Sequence, residues 1–126
     1  MFLGQFNYYN MAKPCVLIAE DKDYLAKIIR TALTDDFDCI CVQTSKEALD
    51  SINDVDAAVV SLNLKGVTCD SLLAEMKNRR RIPVIILTSN TTSLIRIKLF
   101  REGADDVVTK PFNPEELLVR LIRLVK

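Results

Sequence analysis

The stretch Val16-Leu17-Ile18-Ala19-Glu20-Asp21 joins an unbroken apolar run to two adjacent carboxylates. Four consecutive apolar residues offer no polar side to water, so the run reads as a strand buried on both faces, the habit of a parallel sheet. Working outward, short apolar runs of this kind recur, and longer stretches with helical spacing lie between them. Strands are expected over Cys15 to Ala19, Cys39 to Val42, Ala57 to Val60, Val84 to Leu87 and Asp106 to Val108. Helices are expected at about Asp23 to Thr34, Ser45 to Ile52, Asp70 to Arg79, Thr92 to Glu102 and Asn113 to Val125. Asn113 suits an N-cap with Pro114 in the first helical position, and Gly103 suits a helix stop.

Strands alternating with helices imply right-handed crossovers, hence an α/β fold: a five-stranded parallel, doubly wound (flavodoxin-like) sheet with five helices. The 126 residues are enough for one domain with its own core. Lys+Arg and Asp+Glu number 17 each, so the basic footprint of a dedicated nucleic-acid binder is missing and no direct nucleic-acid contact is expected. No apolar run approaches the roughly 20 residues that span a bilayer, so no membrane partner is expected. Histidine is absent, which removes His-based acid/base catalysis, Ser-His and Cys-His nucleophiles and most zinc sites. Cys15, Cys39, Cys41 and Cys69 show no C-x-x-C pairing and read as reduced thiols acting as small hydrophobes in a cytoplasmic protein. Residues 1–12 read as an N-terminal extension ahead of a domain at 13–126. Met1 to Met11 carries no charged side chain but holds Phe2, Phe6, Tyr8 and Tyr9, four of the eight aromatics. It reads as a tail, a mis-assigned start or an arm that docks on a neighbouring surface.

In such folds ligands collect beyond the carboxyl ends of the strands. There stand Glu20 and Asp21, then Thr88 and Ser89, then Thr109, Lys110 and Pro111. Paired acids favour a hard divalent cation, while a hydroxyl and an ammonium suit a phosphoryl group. Together with Pro83-Val84-Ile85-Ile86-Leu87-Thr88-Ser89 and Gly103-Ala104-Asp105-Asp106-Val107-Val108-Thr109-Lys110-Pro111-Phe112, the opening stretch resembles the receiver domain of bacterial two-component response regulators, over Pro14 to Lys126. The resemblance implies that the acid pair holds Mg²⁺, that Thr88 and Lys110 contact a phosphoryl group, and that an aspartate ending the third strand accepts it from a histidine kinase.

The third strand departs from that pattern. Ser61 stands where the resemblance places the acceptor aspartate, Lys65 replaces the usual proline, and Val107 replaces the usual Tyr or Phe reporter. An acyl phosphate needs a carboxylate, and a serine hydroxyl without an adjacent base is a poor nucleophile. Asp56, at the opposite end of the strand, and Asp70, beyond Gly66, do not fit as substitutes. The chain is therefore read as an atypical, phosphorylation-independent receiver: not an enzyme, with Ser61 a degenerate acceptor position, Thr88 and Lys110 a retained pocket, and Glu20 and Asp21 a degenerate magnesium site. No cofactor is expected beyond weak residual Mg²⁺. Lys110 lying among Glu20 and Asp21 as a stand-in cation is favoured over a vestigial metal site.

The segment Lys110 to Arg123 is similar to the OmpR/PhoB branch, which implies a homodimer through helix 4, strand 5 and helix 5 and a C-terminal DNA-binding output domain lying outside this chain. Carried over by residue, the branch's intermolecular ion pairs fall on Arg96 with Glu116 and Asp106 with Arg120, with Asp105 and Arg123 nearby. Its apolar patch falls on Ile97, Phe100 and Val119. Spacing alone also allows Glu116 and Arg120, four apart, to pair within one helix. Asn78 to Arg81 reads as a solvated helix C-terminus. The other readings are a functional phosphoacceptor or single-domain phosphorelay protein, against which Ser61 argues, and a nucleotide binder, which lacks the needed phosphate loop after the first strand.

Overall fold

The computed structural model describes residues 13–64, 69–90 and 92–125; the extension expected at 1–12 and the substituted position Lys65 lie outside them. Five strands, β1 (Cys15–Ala19), β2 (Asp38–Val42), β3 (Ala57–Ser61), β4 (Val84–Thr88) and β5 (Asp106–Thr109), alternate with five helices. The helices are α1 (Asp23–Leu33), α2 (Ser45–Ser51, continued by a 3₁₀ turn at Ile52–Asp54), α3 (Cys69–Arg79), α4 (Ser93–Arg101) and α5 (Pro114–Val125). All strand pairs are parallel, in the order β2-β1-β3-β4-β5. The chain winds outward from β1 to β2, then crosses back to β3 on the other side of β1. That reversal opens a crevice above the carboxyl ends of β1 and β3, where such folds place their chemistry.

Alternation along each strand sorts the core into two layers. Val16, Ile18, Ala57, Val59, Ile85, Leu87 and Val108 pack with Ile29 and Leu33 of α1 and Leu117 and Leu121 of α5. Leu17, Ala19, Ala58, Val60, Val84, Ile86 and Val107 pack with Ala48 of α2, Leu72, Leu73 and Met76 of α3 and Leu99 of α4. Most of these side chains are fully buried, each Val, Leu or Ile contributing about 1.5–3 kcal/mol. The central runs had to be apolar throughout because both faces are covered.

Three strands run one residue beyond their apolar stretch. Ser61 pairs in register with Leu87, and Thr88 with Thr109; Leu62 N donates to Leu87 O at 2.8 Å and Lys110 N to Thr88 O at 2.8 Å. Backbone pairing is indifferent to the polar side chain, so the ladder carries these hydroxyls into the crevice. At the other end Asp38, also polar, begins β2 one residue earlier than expected.

The helix ends follow local chemistry. Asn113 Oδ1 accepts from Glu115 N at 2.9 Å with Pro114 opening α5, as the sequence implies. Gly103, at φ +113°, closes α4 with Gly103 N on Phe100 O at 3.2 Å and Ala104 N on Leu99 O at 3.0 Å, the paired bonds of a Schellman stop. A capping box opens α2: Glu47 N donates to Thr44 Oγ1 at 3.2 Å and Thr44 N to Glu47 Oε1 at 3.1 Å. Asn78, Arg79 and Arg81 are exposed, as a solvated helix end implies, and the reading is corrected at Arg80. Arg80 reaches across from the end of α3 and donates through Nη1 to the carbonyls of Asn53 at 3.1 Å and Val55 at 2.7 Å, satisfying acceptors that the short 3₁₀ turn leaves open.

Candidate functional site

Register places Ala19 beside Val60, so the next residues, Glu20 and Ser61, stand side by side at the crevice. Both are buried, 1% exposed each. Glu20 Oε1 accepts from Ser61 Oγ and from Lys110 Nζ, the latter at 2.9 Å, while Oε2 accepts from Lys22 N at 3.0 Å. Lys110 arrives from just past β5, with its side chain mostly covered. Asp21 sits half-buried at the head of the following loop. Thr88 is buried, and its hydroxyl accepts from Asn90 N at 3.0 Å, fixing the start of the β4–α4 loop.

Burial pushes the Glu20 carboxyl up, but the hydrogen bonds from Ser61, Lys110 and Lys22 N outweigh it and hold the group below the usual glutamate range. Ser61 thus does have an adjacent carboxylate, which the sequence alone does not reveal. A carboxylate with a depressed pKa is a poorer proton acceptor than an ordinary one, however, and far from the near-neutral value that suits a general base. Glu20 stabilises the serine hydroxyl more than it activates it.

The donor set can be weighed against a hard divalent ion, which takes six or more oxygen ligands. Glu20 already carries an ammonium on one oxygen and a backbone amide on the other. Among the described residues no three His, Cys, Asp or Glu side chains converge as a metal cluster. Both oxygens of Glu20 are thus engaged by an internal ion pair and a backbone hydrogen bond. Asp56 precedes β3 at the opposite, amino-terminal end of the strand, where its Oδ2 accepts from Cys15 N at 2.8 Å; Asp70 lies in the first turn of α3.

With the crevice described, similarity to known proteins decides the family: the response regulator receiver domain matches residues 16–122. The chain belongs to that family. Regulatory protein VanR of Enterococcus faecium is 30% identical over 109 residues, covering 84% of this chain and 47% of VanR. Heme response regulator HssR of Staphylococcus aureus is 32% identical over 109 residues, covering 85% of this chain and 49% of HssR. Among solved structures, the BeF3-activated receiver domain of DrrB, a Thermotoga maritima OmpR/PhoB homologue, superposes with a TM-score of 0.86 at 27% identity, covering 90% of this chain and 98% of DrrB's. The receiver domain described here therefore spans about half the length of these curated regulators. Among its described residues no helix is long and apolar enough to cross a membrane.

On the α4-β5-α5 face of the receiver, Arg120 binds two acids of its own chain, Asp106 Oδ2 at 2.9 Å and Glu116 Oε2 at 3.0 Å. The hydrogen bonds it donates to Asp106 and Glu116 hold the guanidinium's pKa above even its ordinary value. Arg96, Glu116 and Arg120 line a cleft of about 310 Å³ floored by Val107 and Val108. Ile97, Phe100 and Val119 are all exposed, and Leu94, missed by the sequence reading, is 80% exposed on the same helix as the first two. Arg123 is exposed. Asp105 is exposed and also serves the fold. Its Oδ2 accepts from Lys77 Nζ at 2.6 Å and from Val84 N at 2.8 Å, tying β5's entry to α3 and β4. No local spacing could have signalled that pairing, since Lys77 and Asp105 are 28 residues apart. Val107 is buried in the core layer beneath α4.

Of the cysteines among the described residues, Cys15, Cys39 and Cys41 are free. Burial is the main cause that pushes the Cys15 and Cys39 thiols up, with nearby Asp56 adding at Cys15 and the Cys41 thiol at Cys39. A raised thiol pKa makes for an inert side chain.

Proposed function

We propose that this receiver domain works without phosphorylation, as a cytoplasmic regulatory and dimerisation module of a DNA-binding transcriptional regulator. The observation that carries the reading is that the Ser61 hydroxyl and the Lys110 ammonium both donate to Glu20 Oε1 in the crevice. A phosphoacceptor site needs a carboxylate nucleophile and groups waiting for the incoming charge. Here Ser61 occupies the acceptor position as a hydroxyl, and the lysine that would meet the phosphoryl group is paired with Glu20. Val107 supports the same reading, because a small buried valine leaves no aromatic to swing between inner and outer positions.

Two copies meet, in this proposal, through α4, β5 and α5. Across a two-fold axis Arg96 faces Glu116 and Asp106 faces Arg120, and Ile97, Phe100 and Val119 form the dry centre. The intrachain bonds of Arg120 hold its guanidinium in place for such a contact, which then needs little side-chain ordering. Exposed ion pairs add at most about 1 kcal/mol each, so the apolar centre supplies affinity and the charges set register. VanR and HssR are named as regulators, and the half of their length beyond this match is where an output domain would stand. Sedimentation velocity with and without Mg²⁺ and a small phosphoryl donor tests the reading. The same distribution in both conditions is expected; a donor-dependent shift from monomer to dimer contradicts it.

A further inference from the structure

We propose that Cys39 and Cys41 form a two-coordinate site for a soft monovalent cation of the copper(I) class at the open edge of the sheet. β2 ends the sheet, hydrogen-bonded to β1. Register sets Cys39 beside Val16 and Cys41 beside Ile18, and both of those neighbours belong to the core layer beneath α1 and α5. The two thiols therefore share that face of the strand, while Asp38, Ile40 and Val42 alternate to the other. Cys39 is half-buried against the apolar layer and Cys41 is exposed. One ligand thus sits in partly dry surroundings and the other stands at the entry. Cys15 packs against the opposite layer and takes no part.

Spacing and donor type select the ion. Along extended backbone, Cα atoms two residues apart lie about 6.6 Å from each other, near the upper limit of what a disulfide spans. Both thiols are free. Two metal–sulfur bonds of about 2.3 Å, set end to end, hold sulfurs about 4.6 Å apart, a gap that two side chains leaning toward each other can match. Cys39 Sγ now donates weakly to Phe37 O at 3.7 Å, a contact that rotation about χ1 exchanges for the metal. Among the described residues no three His, Cys, Asp or Glu side chains gather as a metal cluster, so a tetrahedral zinc site or an oxygen-rich shell lacks donors here. A cation content with two thiolates does not. Coordination displaces the thiol protons outright, so each chain releases two protons to solvent and gains two sulfur–metal bonds. The dithiolate and its monovalent ion together carry one negative charge, which the guanidinium of Arg30, within electrostatic reach of Cys39, offsets.

The test offers copper(I), held by the chelator bicinchoninate, to the full chain carrying Cys15→Ala and Cys69→Ala, which leaves the pair as its only thiols. The expected result is that the protein draws one copper(I) per chain from the chelator, has the mass of one chain plus one metal in native mass spectrometry, and shows two sulfur neighbours by X-ray absorption. Adding Cys41→Ser, a change at an exposed position that spares the core, is expected to return that copper to the chelator with the far-ultraviolet spectrum unchanged. The native chain and its single Cys41→Ser variant are run in parallel, so a loss of one bound copper per chain is read even where the double background folds poorly. Failure of the native chain to compete with the chelator overturns the proposal. So does copper retained after Cys41→Ser, or one copper shared between two chains, because the ligands would then lie elsewhere or on separate copies.

Discussion

Lys110 and Glu20 form a pair in which only one partner retains access to water. Removing the ammonium leaves a carboxylate that its surroundings no longer neutralise, a loss of the kind that costs several kcal/mol when both partners are buried. Because Lys110 keeps part of its surface in water, Lys110→Met is expected to lose about 1–3 kcal/mol at neutral pH. The pH dependence carries the sign. In the native chain Glu20 titrates below its unfolded value of about 4.3, so its contribution is present above that pH and disappears as pH falls through the lower, folded value. In Lys110→Met the deficit shrinks as pH is lowered toward 4, since a protonated Glu20 needs no cation. Urea denaturation of both proteins at several pH values between 4 and 7 measures it; a deficit independent of pH contradicts the pairing. Glu20 and Lys110 were legible as site residues because both end apolar runs. The serine–glutamate hydrogen bond was not, because the register that sets Ala19 beside Val60 is a property of the assembled sheet.

At the scale of elements, the helix ends legible in the sequence are those with local backbone causes. Pro114 opens α5, Asn113 caps it and Gly103 ends α4. The capping box at Thr44 and Glu47 carries an equally local signal, a threonine followed three residues later by glutamate, though hydrophobic periodicity alone does not pick it out. Gly103 gives the clearest test. At φ +113° a β-carbon is strained, and it would stand 3.0 Å from Lys77 Cγ, whose ammonium holds Ile82 O and Asp105. Gly103→Ala is expected to cost about 1–3 kcal/mol, read as a lower urea midpoint with an unchanged slope. A shift below a few tenths of a kcal/mol would show that the Schellman stop relaxes freely. Long-range tethers, Arg80 to the 3₁₀ carbonyls and Asp105 to Lys77, leave no such signal, because their partners meet only once α3 has packed on the sheet.

For the molecule as a whole, the doubly wound sheet was legible from its periodicity, since strands covered on both faces must be apolar without interruption. Strand order was not, because the crossover back from β2 to β3 leaves no local mark. The α4-β5-α5 face carries the proposed assembly. Arg120→Glu would set a third acid beside Asp106 and Glu116, replacing attraction by repulsion on both sides of a two-fold axis. It is expected to weaken association by tenfold or more, about 1.4 kcal/mol, while leaving the far-ultraviolet spectrum intact. Sedimentation equilibrium with no change in the monomer–dimer balance would move the interface elsewhere. The absence of phosphotransfer is the central claim, and intact-mass spectrometry after incubation with Mg²⁺ and a small acyl phosphate tests it most directly, beside Ser61→Asp and an ordinary receiver domain. The native chain is expected to keep its mass while the ordinary receiver gains one phosphoryl group. A phosphoryl group on the native chain, mapped to any residue of the crevice, would contradict the claim.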